Sequence, residues 1–275
     1  MVAPDGSCDR HVRSPRIAGP TLVIAHRGGA DDRPEHTIGA YLRAMEVGVD
    51  GLECDVRLTR DGHLVCIHDR RLDRTSNGTG RVSASTLDDL RRLDFGSWHA
   101  SSEPEESEPA RVLTLNDLLA AIVDSGRTLR LLIETKHPSR YGAAVEPRVV
   151  EVLRRFGLAG SRPPDRISPV VMSFSPLALR RMRILAPAVP TAFLFDLGVP
   201  AVRDGRAPYG ASVMGPSVRA LAARPELVTH AHQRGLQVYV WTVNTDEDVD
   251  QAVRAGVDAI ITDRPAAVLT RLGRS

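Results

Sequence analysis

Glu53 and Asp55 lie two residues apart in the apolar run GLECDV (51–56), so in an extended strand both carboxylates leave the same face. Glu134 lies near the end of a second such run, RLLIET (130–135), and Lys136 follows it two residues on. Two carboxylates on one face repel unless something positive lies between them. A third from a neighbouring strand would complete an oxygen set suited to one divalent cation, Mg2+ or Ca2+. The alternative is a group of paired surface ions at strand ends. His26-Arg27 closes the run TLVIA (21–25), and His68-Asp69 closes the apolar stretch before it. A lone histidine in such a place is more often a core residue with one hydrogen bond. Two of them beside carboxylates suit a general acid and a general base. Arg27 and Lys136 supply cations for an anionic substrate. No Ser or Cys nucleophile is evident, and the set describes metal-assisted phosphoryl transfer.

Lys136 stands out by composition as well. Of the 36 basic residues it is the single lysine, the other 35 being arginine. That is either drift or a site needing a compact ammonium rather than a planar guanidinium.

Eight short runs bounded by turn residues can position these groups: 21–25, 51–56, 130–135, 169–174, 190–195, 211–214, 236–241 and 258–262. Helix-patterned stretches at 37–47, 114–124, 146–156, 176–186, 225–234 and 246–255 lie between most of them. Alternation of this kind means βαβ units and a parallel sheet, and eight units fit a closed (β/α)8 TIM barrel better than an open doubly wound sheet. No GxGxxG follows the first run, which removes the nucleotide-binding fingerprint. In such a barrel chemistry collects at the C-terminal ends of the strands. The residues above stand there, together with Trp241 and Asp263 at the ends of the last two runs. Asp263 in TDRP also reads as a helix N-cap followed by a loop proline. A β-hairpin is expected after the second strand, turning at Asp61-Gly62. A small insertion follows at about 70–113, holding the acidic run Glu103–Glu108, which reads as a solvated loop. Residues 1–20 read as a flexible leader and 21–275 as one barrel domain.

The chain has 275 residues, 42% of them apolar and 25% charged, which excludes a disordered chain or a small disulfide scaffold. A net charge of +2 and 4% aromatics argue against nucleic acid as a partner. Cys8, Cys54 and Cys66 lack metal-site spacing, and the last two sit in apolar runs as small core residues. No apolar stretch approaches the ~18 residues of a membrane span, and no signal peptide is seen, so a cytoplasmic location is expected.

The strings AHRGGADDRPEHT, GVDGLECDVRLTRDGHLVCIHDRRLDRTSNGTG and LLIETKHP, with the later WTVN and ITDRP, closely resemble the glycerophosphodiester phosphodiesterase family. The likeness runs from about residue 21 to the end, and the ExD…DG…HD spacing over 53–69 is its most specific part. It implies a TIM barrel with an insertion after the hairpin. It also implies hydrolysis of a small glycerophosphodiester to sn-glycerol 3-phosphate and an alcohol, in glycerophospholipid turnover. His26 and His68 would be the acid/base pair, and Glu53, Asp55 and Glu134 the metal ligands. Arg27 and Lys136 would hold the phosphodiester, with Glu35 near the site. Trp241 would pack against the glycerol, unless it is a barrel-core aromatic. His36 stands where the family commonly has Asn. Two rivals share the scaffold. A phospholipase acting on intact phosphoinositide or sphingolipid should offer an apolar rim, and FGSWH (95–99) is the only aromatic cluster in the insertion. A non-catalytic binding protein should have lost a ligand or a histidine, and none is missing.

Overall fold

Each of the eight apolar runs becomes one parallel strand of a single sheet in the computed structural model, which describes residues 19–99, 110–160, 166–198 and 206–274. The strands are β1 (Leu22–Ala25), β2 (Gly51–Leu58), β3 (Leu64–Cys66), β4 (Leu129–Thr135), β5 (Ile167–Ser173), β6 (Thr191–Phe195), β7 (Val213–Pro216), β8 (Gln237–Val240) and β9 (Ala259–Thr262). β1 pairs in parallel with both β2 and β9, so the sheet closes on itself, and only β3 runs antiparallel, as the return arm of the β2 hairpin. This is the expected eight-stranded barrel. The acidic run at 103–108, Cys8 and all but two residues of the expected leader lie outside the described residues.

Nine helices are described: α1 (Ile38–Glu46), α2 (Leu87–Arg91), α3 (Leu115–Asp124), α4 (Val145–Arg155), α5 (Pro176–Leu185), α6 (Val218–Ala223), α7 (Leu227–Gln233), α8 (Asp246–Ala255) and α9 (Pro265–Arg271). Thr37, Thr114, Ser175, Ser217 and Thr245 each accept a backbone N–H at the start of α1, α3, α5, α6 and α8. Such a cap contributes about 1 kcal/mol, and it turns the chain sharply from strand top to helix. α2, α6 and α9 are five to seven residues long. Two turns or fewer carry too little periodicity to read from sequence.

The two-residue strand period sorts the core. Val23, Leu52, Cys54, Leu131, Ile133, Val171, Phe193 and Val238 face outward into the helices. Ile24, Leu132, Val170, Met172, Leu194, Tyr239 and Ile261 fill the barrel interior. Cys54 and Cys66 are both buried and unpaired. Glu53 pairs in register with Leu132, and Asp55 with Glu134, so all three carboxylates share the inward parity of Leu132. The insertion shares a small core with the hairpin arm, made of Val65, Ile67, Leu72, Val82, Leu87, Leu90, Phe95 and Val112.

Candidate active site

At the C-terminal end of the barrel a cavity of about 120 Å³ is lined by His26, Arg27, Glu53, His68, Glu134 and Lys136 on its polar side. Met172, Phe174, Leu194 and Trp241 form much of its apolar side. Glu53, Asp55 and Glu134 offer carboxylate oxygens that all lie within 4.8 Å of one another, and all three residues are buried. Burial, with the charges of Asp55 and Glu134, pushes the Glu53 carboxyl well above its ordinary range. The same two causes, burial and Asp55, raise Glu134 to about 7. Burial also acts against ionised Asp55, but Lys136, His36 and Arg27 outweigh it and hold its pKa well below normal.

The cations are spread thinly across this cluster. Lys136 Nζ is 2.9 Å from Asp55 Oδ1 and 2.7 Å from Glu134 Oε1. Arg27 Nε is 3.2 Å from Asp55 Oδ2, and its backbone N–H donates to Glu53 Oε2 at 3.1 Å. At this turn Arg27 adopts φ +52° and Gly28 φ +92°. A Cβ on Gly28 would lie 2.8 Å from Ala40 Cβ, so only glycine lets α1 approach this closely. Asp55 Oδ1 is buried and shares the Lys136 ammonium with Glu134 Oε1. Three buried, mutually repelling carboxylates that share one ammonium and one guanidinium are the donor set a hard divalent cation would relieve, so these residues fit the metal expected at this place.

Two His–Asp pairs flank the cluster. His26 Nδ1 is 2.6 Å from Asp263 Oδ1, leaving Nε2 3.9 Å from Glu53 Oε2. Asp263 is in turn held by Asn244, whose Nδ2 donates at 2.7 Å. His68 Nδ1 is 2.7 Å from Asp69 Oδ1. In each pair the carboxylate fixes the proton on Nδ1 and leaves Nε2 for chemistry. Burial, aided by the charges of Lys136 and Arg27, lowers the His68 pKa to about 4, so the ring is neutral at ordinary pH.

Behind these groups lies a second layer. Glu35 accepts from Arg27 at 3.1 Å, and from both terminal nitrogens of Arg74 at 2.8 Å each. Its oxygens are therefore committed, and Glu35 is not among the residues lining the cavity. Arg74 also donates to Asp69 at 2.6 Å, joining the Arg27 side of the site to the His68 side. His36 Nε2 is 3.0 Å from Asp55 Oδ2, and its Nδ1 is 2.8 Å from the Tyr41 hydroxyl, which donates to the Glu53 carbonyl at 3.0 Å. An imidazole thus braces Asp55 from behind. Trp241 is both core and wall. Its indole N–H donates to Gly215 O at 2.8 Å, and Phe174 packs edge-on against it at 5.3 Å between centroids.

All nine residues singled out from the sequence meet in this one region. Asp263, Arg74 and Phe174 join them without having been given a role. Asp263 alone carried a signal, its place at the end of the last run. The proline after it does not lie in a loop but at the first position of α9.

The profile of the glycerophosphoryl diester phosphodiesterase family matches residues 26–267. A probable glycerophosphodiester phosphodiesterase 1 of Mycobacterium tuberculosis is 46% identical over 250 residues, covering 90% of this chain and 91% of its own. A glycerophosphodiester phosphodiesterase of Bacillus subtilis is 33% identical over 251 residues, covering 89% of this chain and 84% of its own. The solved structure of an Oleispira antarctica phosphodiesterase, in complex with the product sn-glycerol-3-phosphate, aligns with a TM-score of 0.81 at 25% identity, over 92% of this chain and 97% of that one. Among the described residues no helix is long and apolar enough to cross a membrane. With barrel, site and relatives in agreement, the chain belongs to the glycerophosphoryl diester phosphodiesterase family and is an enzyme of that type, a phosphodiester hydrolase.

Proposed function

We propose that the enzyme hydrolyses glycerophosphodiesters to sn-glycerol 3-phosphate and a free alcohol, using a divalent cation and the two histidines. The observation that carries this reading is the placement of two Asp-braced histidines around one buried group of three carboxylates. Glu53, Asp55 and Glu134 would hold the cation. Once bound, it would polarise a phosphate oxygen and lower the pKa of a hydroxyl beside it. Arg27 and Lys136 bind the phosphodiester as cations, and Glu35 with Arg74 orients Arg27. Trp241 and Phe174 give the glycerol an apolar wall that excludes water.

His68, held neutral by burial, suits the base, and His26 then delivers a proton to the oxygen of the departing alcohol. The base takes its proton either from the glycerol 2-hydroxyl, giving a cyclic phosphate that water opens, or from an attacking water. In both routes one P–O bond forms as another breaks, and the enzyme's protons balance after hydrolysis. The product bound to the Oleispira antarctica phosphodiesterase supports the choice of substrate class.

The test is an assay of metal-stripped enzyme on several glycerophosphodiesters, coupled to glycerol 3-phosphate detection, with Mg2+ or Ca2+ added back. Activity should vanish with EDTA and return with one ion. Full activity in metal-free enzyme would remove the cation from the mechanism.

A further inference from the structure

Beside the active cavity runs a second groove of about 430 Å³, and its charged lining residues are all cationic: Arg57, Arg70, Arg71, Arg81, Lys136 and Arg140. Lys136 lines both spaces, so the groove begins where the diester phosphate is proposed to sit. Arg57 ties the two together again, donating through Nε and Nη2 to the His68 carbonyl at 2.9 and 2.6 Å.

Most of these charges are not neutralised within the protein. Among the described residues, only Arg71, with Asp73 at 2.9 Å, and Lys136 have a carboxylate at ion-pair distance. Arg140 lies over the Tyr141 ring, 6.0 Å from its centroid, a contact that leaves its donors open. Arg70 and Arg81 reach the groove from two facing segments of the insertion, joined by an Arg71–Arg81 bridge and by Val82 N–H donating to Arg70 O at 3.1 Å. The backbone therefore holds the guanidiniums together in spite of their repulsion.

We infer that this groove recognises a second anionic group on the alcohol half of the substrate, so that the preferred glycerophosphodiesters are those whose alcohol is itself phosphorylated. The inference rests on the hydrolysis proposed above and specifies its substrate. Glycerol against Trp241 and Phe174, at the ends of β8 and β5, directs the alcohol toward the β2 and β4 side, where the groove opens. A phosphate monoester carries close to two negative charges and three acceptor oxygens, which planar guanidiniums bind in pairs. A cationic alcohol such as choline would meet only like charge.

The test compares kcat/KM on glycerophosphoinositol phosphate, glycerophosphoinositol and glycerophosphocholine. It uses the whole protein, the triple variant Arg70→Ala/Arg81→Ala/Arg140→Ala, and the single variant Arg70→Gln in case the triple folds poorly. The wild type should favour the phosphorylated inositol substrate over its unphosphorylated counterpart by about 10-fold or more, the scale of a charge-assisted contact. The preference should shrink as salt is raised, collapse in the triple variant and weaken in Arg70→Gln. Equal kcat/KM for the two inositol substrates in wild type would overturn the inference and leave the hydrolysis standing. So would a preference that survives the substitutions. Failure to cleave any of the three would overturn the proposed hydrolysis, and the groove's role with it.

Discussion

The two ends of the barrel solve the problem of inward-facing polar groups in opposite ways. At the N-terminal end Arg130 points inward without a counter-ion at ion-pair distance among the described residues, yet it is provided with partners. It donates to the Tyr239 hydroxyl and, at 3.3 Å, to Gln237, and lies over the Tyr239 ring at 5.7 Å. Tyr239 donates onward to Gln237 at 2.8 Å, and burial raises its pKa to about 12. Gly51 completes this floor, because a Cβ there would lie 2.5 Å from the Arg130 carbonyl. At the C-terminal end the same inward parity crowds three buried carboxylates around one shared ammonium. The floor is satisfied by the protein, whereas the mouth offers a group of carboxylates that could hold a metal ion. Stability and chemistry are thereby separated along one axis.

That separation can be broken from the mouth first. His26→Ala and His68→Ala should each lower kcat by about 10²-fold or more while Tm holds, and the double variant should be little worse than either single. Near-normal turnover in one of them would remove that histidine from the mechanism. A smaller loss is expected from Lys136→Arg. The ammonium reaches two carboxylates at 2.9 and 2.7 Å in a largely buried place, where a broad guanidinium would crowd the group. The expected cost is ~10-fold in kcat/KM, about 1.4 kcal/mol, and wild-type kinetics with unchanged metal content would show that either cation serves.

From the floor the signature reverses. Tyr239→Phe removes the hydroxyl that links Arg130 to Gln237, and should cost about 1–2 kcal/mol of stability while kcat/KM on folded enzyme stays put. A large loss of turnover there would show that the two ends are coupled. The finest effect concerns His68. Its folded pKa of about 4 lies below the ordinary 6.5, so between those values the unfolded chain binds a proton that the native one does not. Its contribution to stability is therefore fully present above pH 6.5 and is lost as pH falls toward 4. Tm measured at pH 7 and pH 5 should drop less in His68→Asn than in wild type, and identical drops would mean that His68 is not held neutral.

The carboxylate group was legible in the sequence because strand parity is a local property: Glu53 with Asp55, and the register partner Glu134, follow from a period of two. His68-Asp69 was legible because the pair is adjacent. His26 and Asp263 are 237 residues apart, and only the closing of the sheet brings them together. Arg74 and Glu35 are separated by 39 residues and meet because the insertion packs on the hairpin arm through a shared core. Nothing local in the sequence therefore sets Arg74 apart from the other arginines. Phe174 read as part of a strand end, since nothing local shows that it will face Trp241 across the mouth.

The seam between β1 and β9 has a consequence for the protein's synthesis. One half of the His26–Asp263 pair leaves the ribosome among the first residues of the barrel and the other among the last. A growing chain can complete the hairpin, the carboxylate group and even Lys136, but its first histidine stays unbraced until β9 docks against β1. The brace of the proposed acid is thus completed only in the step that closes the ring.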